Sequence, residues 1–414
     1  MHFFEYRENQ LFAEQVPVTT LAKEYGTPLY VYSAKTLKRH FNAYDSAFSE
    51  LNHMTCYSVK ANSNIHVLKL LGSMGAGMDI VSGGELYRAL KAGISPQKIV
   101  YSGVGKRPEE IAQALEADIL MFNVESVQEL ERINDMALRM GKVARISLRI
   151  NPDVDPKTHP YISTGMEKNK FGIDMKTSFS LYKKAKDFSG IQPIGIDCHI
   201  GSQLTTVEPF LEALDKILEF YNELCSWGLC IEYLDLGGGL GITYEEEKPP
   251  HPKEFGELLT SRLKGIPLKL ILEPGRSIAG NAGILVTEVI YTKDTPSKHF
   301  LIVDAAMNDL VRPSLYGSYH RIAEVLPQGR PLQSYDIVGP ICESGDFLAR
   351  DRELAQCESG ELLACFSAGA YGFTMSSNYN SRPRACELLV DGANVHCIRR
   401  RESYQDLIAL EEKE

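Results

Sequence analysis

From residue 54 onward, short apolar runs rich in β-branched residues alternate with segments whose apolar residues recur every three or four positions. The runs are Thr55–Val59, Met78–Val81, Ile99–Ser102, Ile119–Val124, Ala144–Ile150, Ile194–Ile200, Ile231–Leu236 and Leu268–Leu272. Each has the length and composition of a strand buried on both faces. Helical spacing is plainest in Ser126–Met140, where Val127, Leu130, Ile133, Ala137 and Met140 fall on one side. Val207–Trp227 is a second helix, and shorter ones cover Ile65–Leu71, Gly84–Ala92 and Pro108–Leu115. Strands with helices between them make this an α/β chain. A doubly wound open sheet uses the same ingredients, but eight strands favour a parallel (β/α)8 TIM-like barrel.

After Gly280 the rhythm changes. Ile284–Thr292, Phe300–Ala305, Asp336–Ile341, Leu362–Phe366 and Cys386–Val390 read as strands joined by turns, with little helix. This predicts a C-terminal mainly-β domain. The first residues fit poorly as a barrel turn: a hairpin pattern leads into a short helix, Thr20–Tyr25, stopped by Gly26. They are assigned to the β domain, giving a barrel over 34–277 and a β domain from 1–33 and 278–414.

The 414 residues are enough for two such bodies and a large core, so neither needs a metal or a disulfide framework. Asp plus Glu outnumber Lys plus Arg by 54 to 44. That balance argues against a general nucleic-acid or anionic-membrane binder. The stretch MHFFEYRENQLFAEQ carries charges where a signal peptide needs an apolar core, and the uncharged run Leu362–Ser381 is too rich in Gly, Ser and Asn to span lipid. Nine cysteines without a C-x-x-C pair suit a reducing cytoplasm. No metal is expected, since adjacent Cys198 and His199 would face opposite sides of a strand. Arg399–Arg401 reads as a solvated basic patch.

The chemically suggestive residues fall at strand ends. Lys60 follows the first barrel strand, Asp79 lies in the second and His199 ends the sixth. Gly237, Gly238 and Gly239 end the seventh, and Glu273-Pro274-Gly275-Arg276 ends the eighth. All but Asp79 stand at carboxyl ends, where barrel enzymes build their sites. Taken singly, each has a bland reading. A rim lysine snorkels to water, a glycine run is a common turn, and Glu273 with Arg276 suits a surface ion pair. The run Gly237–Gly241 fails the dinucleotide fingerprint, because Ile242 stands where its last glycine should. Cys342, in Cys342-Glu343-Ser344-Gly345-Asp346 at the end of a β-domain strand, is either an inert core thiol or an acid–base thiol in a polar setting.

Together, in order, these motifs resemble the diaminopimelate decarboxylases. The resemblance is carried by Tyr57-Ser58-Val59-Lys60-Ala61-Asn62, Cys198-His199-Ile200-Gly201-Ser202, Gly237–Gly239, Glu273-Pro274-Gly275-Arg276, Cys342-Glu343-Ser344-Gly345-Asp346 and Gly369-Ala370-Tyr371. Gly26-Thr27-Pro28-Leu29-Tyr30-Val31-Tyr32, His159-Pro160-Tyr161-Ile162-Ser163-Thr164-Gly165 and Lys170-Phe171-Gly172 extend it over nearly the whole chain.

The resemblance implies a pyridoxal 5′-phosphate (PLP) enzyme of fold type III: a PLP barrel joined to a β domain. It implies that Lys60 holds PLP as a Schiff base, that Asp79 lies in the cofactor site and that His199 stacks on the ring. Ser202, Gly237–Gly239 and the Gly275–Arg276 backbone would bind its phosphate. Glu273 would face the pyridine nitrogen, keeping it protonated so that the ring absorbs the electron pair left by CO2. For the substrate, Arg276, Arg312 and Tyr316 would take the distal carboxylate and Glu343 the distal ammonium, with Tyr371 near cofactor and substrate. A guanidinium fork suits that carboxylate. The implied reaction converts meso-2,6-diaminopimelate to L-lysine. Cys342 would act as proton donor and, with Glu343, would reach the site of the other subunit in a homodimer. The rivals are a sister decarboxylase of ornithine, arginine or carboxynorspermidine, and a non-catalytic PLP-binding regulator on the same fold. A metal-dependent barrel hydrolase is more distant.

Overall fold

The computed structural model describes residues 2–155 and 170–412. Two compact units emerge, one from His40–Ile242 and Lys248–Ile278, the other from Met1–Arg39, Thr243–Glu247 and Ala279–Glu414.

The first unit is a closed barrel of eight parallel strands: β1 His53–Ser58, β2 Gly77–Ile80, β3 Ile99–Tyr101, β4 Met121–Val124, β5 Ala144–Asn151, β6 Ile191–Asp197, β7 Tyr233–Asp235 and β8 Lys269–Leu272. Pairing of β8 with β1, Ile271 opposite Met54, closes the ring. The open-sheet alternative is thereby excluded. A short extra strand, Ile173–Asp174, runs parallel to β5. Helix Val127–Arg139 starts where Ser126 accepts the Glu129 N–H, and buries Leu130, Ile133 and Ala137. Glu208–Ser226 is the longest helix described. Met175–Ala185 and Pro252–Leu263 are further helices, and Ala34–Asp45 crosses from one unit to the other.

In the second unit, Gly283–Asp294 is the central strand. It pairs with His299–Val303, Leu362–Cys365 and, antiparallel, Leu29–Ser33. Leu29–Ser33 lies between Gly283–Asp294 and Cys386–Asp391, so an amino-terminal strand is built into a sheet of carboxy-terminal ones. Alternate residues Leu29, Val31, Ile284, Val286, Leu388 and Val390 share one apolar core. The hairpin pattern becomes a small sheet of Phe4–Arg7, Gln10–Ala13 and Val16–Pro17, and helix Val18–Tyr25 stops at Gly26 with φ 72°.

Two expectations are corrected. The strand expected over Asp336–Ile341 runs over Leu332–Val338 instead. At Gly339 a Cβ would meet Ala306 and the Asp346 carboxylate within 2.6 Å, and the chain leaves the sheet there. The Arg399–Arg401 run is solvated only at Arg400, and each of its residues has a partner. Arg399 pairs with buried Glu387, Arg400 with Asp406, and Arg401 donates to the carbonyls of Tyr25 and Pro28.

Candidate active site

Residues two apart on a strand share a face, and along the barrel strands that face changes character. Cys56 is followed by Ser58, Gly77 by Asp79, Val100 by Ser102, Met121 by Asn123, Tyr233 by Asp235 and Ile271 by Glu273. Met54, Cys56, Val100, Met121 and Ile271 pack into an apolar floor, with Tyr233 against it. The polar partners form a layer above, at the carboxyl ends of the strands. Burying so many polar groups costs several kcal/mol unless they bond to one another, and all but Asp79 Oδ1 do.

Lys60 sits in the single turn Val59–Ala61 that follows β1. Its Nζ is paired with Asp79 and lies 3.4 Å from Ser58 Oγ. Asp79 is fully buried, while the lysine side chain is 38% exposed, so the ammonium is reachable and its counter-ion is not. Ser58 Oγ lies 2.8 Å from Asp79 Oδ2 and 2.9 Å from the Glu273 carbonyl, joining the ends of β1, β2 and β8. His199 stands two residues beyond β6. Burial, with Arg149 and Lys60 adding to it, pushes its pKa well below the ordinary value and holds the imidazole neutral.

The glycine turn after β7 has no room for side chains. A Cβ on Gly237 (φ 64°) would fall 2.5 Å from the His199 ring, and one on Gly238 would fall 2.2 Å from the Glu273 carbonyl. On Gly239 (φ 117°) it would fall 2.6 Å from the Gly201 carbonyl. Beside this turn, Arg276 Nε and Nη2 both donate to Ser202 Oγ, at 3.3 and 3.1 Å. Gly275 packs against Ser58 and Ala61. Replacing Gly238 with Ala should therefore push the end of β8 outward and cost about 1–3 kcal/mol, the usual penalty for overpacking. A thermal melt checks the cost, and a PLP titration should show weaker binding.

Glu273 is buried, not part of a surface ion pair. Burial, then Asp235 and Asp79, raises its pKa well above the ordinary range, so its carboxyl tends to keep a proton. Asp197 is raised in the same way, burial first, although Arg149 opposes it. Arg149 also bonds Glu125 at 2.9 Å, and Glu125 in turn accepts the Gly172 N–H at 3.1 Å. That contact gives the Lys170-Phe171-Gly172 motif a structural place. The motif at 159–165 lies outside the described residues.

In the β-domain unit, Arg312 opens the short helix Arg312–Tyr316 and is buried. Its Nε donates to His320 Nε2 at 3.4 Å, and His320 Nδ1 lies 2.9 Å from the Phe366 carbonyl. The carbonyl fixes the proton on Nδ1, leaving Nε2 as an acceptor. Rings of Tyr244 and Tyr316 lie 5.2 and 5.7 Å from the guanidinium. Ser314 of the same helix donates to the Gly345 carbonyl at 2.6 Å, tying it to the loop that carries Cys342 and Glu343. Cys342 is exposed and does not end a strand as expected: the strand stops at Val338, four residues earlier. Buried Asp346 shapes the loop by accepting N–H groups from Met307 and Ile341. Tyr371 has φ 56° and is half-buried.

The structure thus gathers Lys60, Asp79, His199, Ser202, Gly237–Gly239, Glu273, Gly275 and Arg276 in the barrel unit, and Arg312, Tyr316, Cys342 and Glu343 on adjoining pieces of the β unit. Asp235, Asn123 and Ser102 were not anticipated. The signal for Asp235 was an acid inside the apolar run Leu234-Asp235-Leu236. No helix among the described residues is long and apolar enough to cross a membrane.

Residues 34–280 match the family described as "pyridoxal-dependent decarboxylase, pyridoxal binding domain". The chain is 54% identical to the diaminopimelate decarboxylase of Aquifex aeolicus, over 98% of this chain and 96% of that one. It is 53% identical to the Haemophilus influenzae enzyme of the same name, over 99% of each. The crystal structure of diaminopimelate decarboxylase from Helicobacter pylori, complexed with L-lysine, superposes with a TM-score of 0.92 at 43% identity, over 95% of this chain and 99% of that one. With full-length identity of this order joined to a lysine-bearing barrel of the same topology, the chain belongs to the diaminopimelate decarboxylases, within the pyridoxal-dependent decarboxylase family.

Proposed function

We propose that the protein uses PLP to convert meso-2,6-diaminopimelate to L-lysine and CO2, the last step of lysine synthesis. The observation that carries this reading is identity above 50%, end to end, with enzymes of that name. The barrel, taken as 34–277, binds the cofactor; residues 1–33 and 278–414 form the β domain.

The residues present fit PLP. Lys60 offers an accessible amine on a buried carboxylate. The Gly237–Gly239 turn leaves a cradle that any Cβ would fill, and backbone N–H groups in such a turn suit a phosphate. His199 presents a neutral ring and Glu273 a buried acid. Bound PLP supplies the electron sink that CO2 loss requires. Lys60 Nζ would carry the cofactor, and the Asp79 carboxylate touching it is placed to take the proton that the ammonium must lose. Ser202, Gly237–Gly239 and the Gly275–Arg276 backbone would hold the phosphate. Glu273, a buried acid, would face the ring nitrogen and supply the proton that keeps it charged.

Arg276, Arg312 and Tyr316 hold the distal carboxylate, Glu343 the distal ammonium, and Tyr371 lies beside them. Each site is completed across a homodimer, with the Cys342–Glu343 loop of one protomer serving the barrel of its partner. Exposure of that loop supports this reading. Cys342 would supply the proton that replaces the departing carboxylate, its thiol being recharged from solvent. An acid thiol must stay reduced, which favours the cytoplasm.

The test is CO2 release from meso-diaminopimelate, ornithine and arginine, measured side by side. Preference for either of the last two would overturn the substrate assignment. Arg312→Ala or Glu343→Gln should reduce kcat/KM for diaminopimelate by about 10–100-fold, the worth of a charged hydrogen bond. PLP affinity should stay near wild type. Equal losses in both would make these residues structural.

A further inference from the structure

Asp235 ends β7, is fully buried, and sends its two oxygens to different parts of the site. Oδ1 accepts the Gly237 N–H at 2.9 Å, at the first residue of the glycine turn. Oδ2 accepts from Asn123 Nδ2 at 3.2 Å, and the same amide lies 3.4 Å from Glu273 Oε1. The Asn123 amide thus bridges the two carboxyls. Two carboxyls so placed, away from water, resist carrying charge together, and burial raises both above the ordinary range. The carboxyl oxygens of Asp235 and Glu273 that face Nδ2 hold Asn123 in this orientation. Its Oδ1 accepts from Ser147 Oγ at 2.6 Å while Nδ2 donates to Ser102 Oγ at 3.1 Å, and Ser102 Oγ lies 3.3 Å from Glu273 Oε1.

Packing alone does not call for an acid here. The floor one layer below is built from apolar side chains, and a buried carboxyl costs stability that a methyl group would not. What the acid adds is a rigid link from the backbone of the glycine turn to the carboxyl of Glu273, through one side chain with no rotational freedom left.

We propose that Asp235 is a positioning residue that couples the turn holding the cofactor phosphate to the acid facing the cofactor ring. Its Oδ1 sets the direction of the Gly237 N–H, and its Oδ2, through the Asn123 amide, fixes the Glu273 carboxyl. The proposal rests on reading Gly237–Gly239 and Glu273 as PLP-binding residues. It assigns Asp235 no contact with the cofactor.

The test uses purified full-length protein stripped of cofactor and titrated with PLP, following the absorbance of the bound form, beside thermal melts of the cofactor-free proteins. Asp235→Ala removes both links and should weaken PLP binding at least about tenfold, the value of one buried charged hydrogen bond. Asp235→Asn keeps an acceptor for Gly237 but removes the second buried acid. It should recover most of the affinity while altering the relative heights of the bound cofactor's absorbance bands. Should Asp235→Ala fail to fold, Asn123→Ala takes its place. That change leaves the turn alone and should alter the bands with little loss of affinity.

A merely structural Asp235 would lower the melting temperature and leave affinity and bands at wild-type values, and that result overturns the proposal. Gly238→Ala and Glu273→Gln separate the two levels of inference. If both bind PLP like wild type, the cofactor-site reading itself has failed. If both bind weakly while the Asp235 variants are normal, only the coupling has failed.

Discussion

Lys60→Ala is expected to fold, to lose the visible absorbance of covalently held PLP, and to lose nearly all turnover, because the amine that would carry the cofactor is gone. The reason is the scarcity of amines in the barrel. Lys106 is the one lysine that is buried among the described residues, and its Nζ is occupied by Glu129 and by the carbonyls of Gly103 and Asn123. Lys60→Arg sharpens the result. A guanidinium can still pair with Asp79 but cannot be deprotonated to attack a carbonyl. If the lysine were only a counter-ion for Asp79, the arginine variant would behave like wild type. A nucleophilic lysine requires that it keep the melting temperature and lose the absorbance. Retention of covalent cofactor by both variants would mean that another residue holds PLP.

The barrel was legible because its strands are buried on both faces and so read as near-continuous apolar runs. All eight appear within a few residues of their expected places. Two helices that escaped notice mix small or polar residues into otherwise apolar buried faces. Met175–Ala185 buries Ser178 and Tyr182 beside Leu181. Pro252–Leu263 buries Gly256 and Thr260, and a Cβ on Gly256 would fall 2.3 Å from the Ala47 carbonyl. Close backbone approach selected glycine there, against helix propensity. In the β unit, Leu332–Val338 was misplaced because its first half is polar and partly exposed, so only its end registered as a strand.

The candidate site divides along a similar line. Residues whose chemistry is carried by a local run, such as Gly237–Gly239 or Glu273–Arg276, could be picked out from the chain alone. Asn123 and Ser102 could not, because each is an ordinary polar residue in or beside its strand, and Asp235 offered only an acid inside an apolar run. They acquire meaning only from one another and from Glu273, which lies 171 positions from Ser102. The change from apolar to polar along each inward face, Met121 to Asn123 or Ile271 to Glu273, is written in the sequence. It becomes visible only once closure of the barrel settles which residues point inward.

Cys342→Ala should keep the absorbance of covalently held PLP and lose about 10²–10⁴-fold in decarboxylation, because its proposed task is proton delivery and not cofactor binding. The residue is exposed on a loop whose shape Asp346 and Ser314 hold without help from the thiol, so the substitution should leave folding intact. The sharper experiment mixes this variant with Lys60→Ala. If each site takes Lys60 from one protomer and Cys342 from its partner, a heterodimer of the two variants has one site with both residues intact and one with neither. Random exchange makes half the dimers mixed, so recovery should approach about a quarter of wild-type turnover, the fraction that two-fold symmetry dictates. Neither variant alone should exceed its residual rate. Subunit exchange is established first, by co-purification of differently tagged protomers. If mixed dimers form and activity does not return, Cys342 acts within its own protomer or not at all, and the shared-site arrangement is wrong.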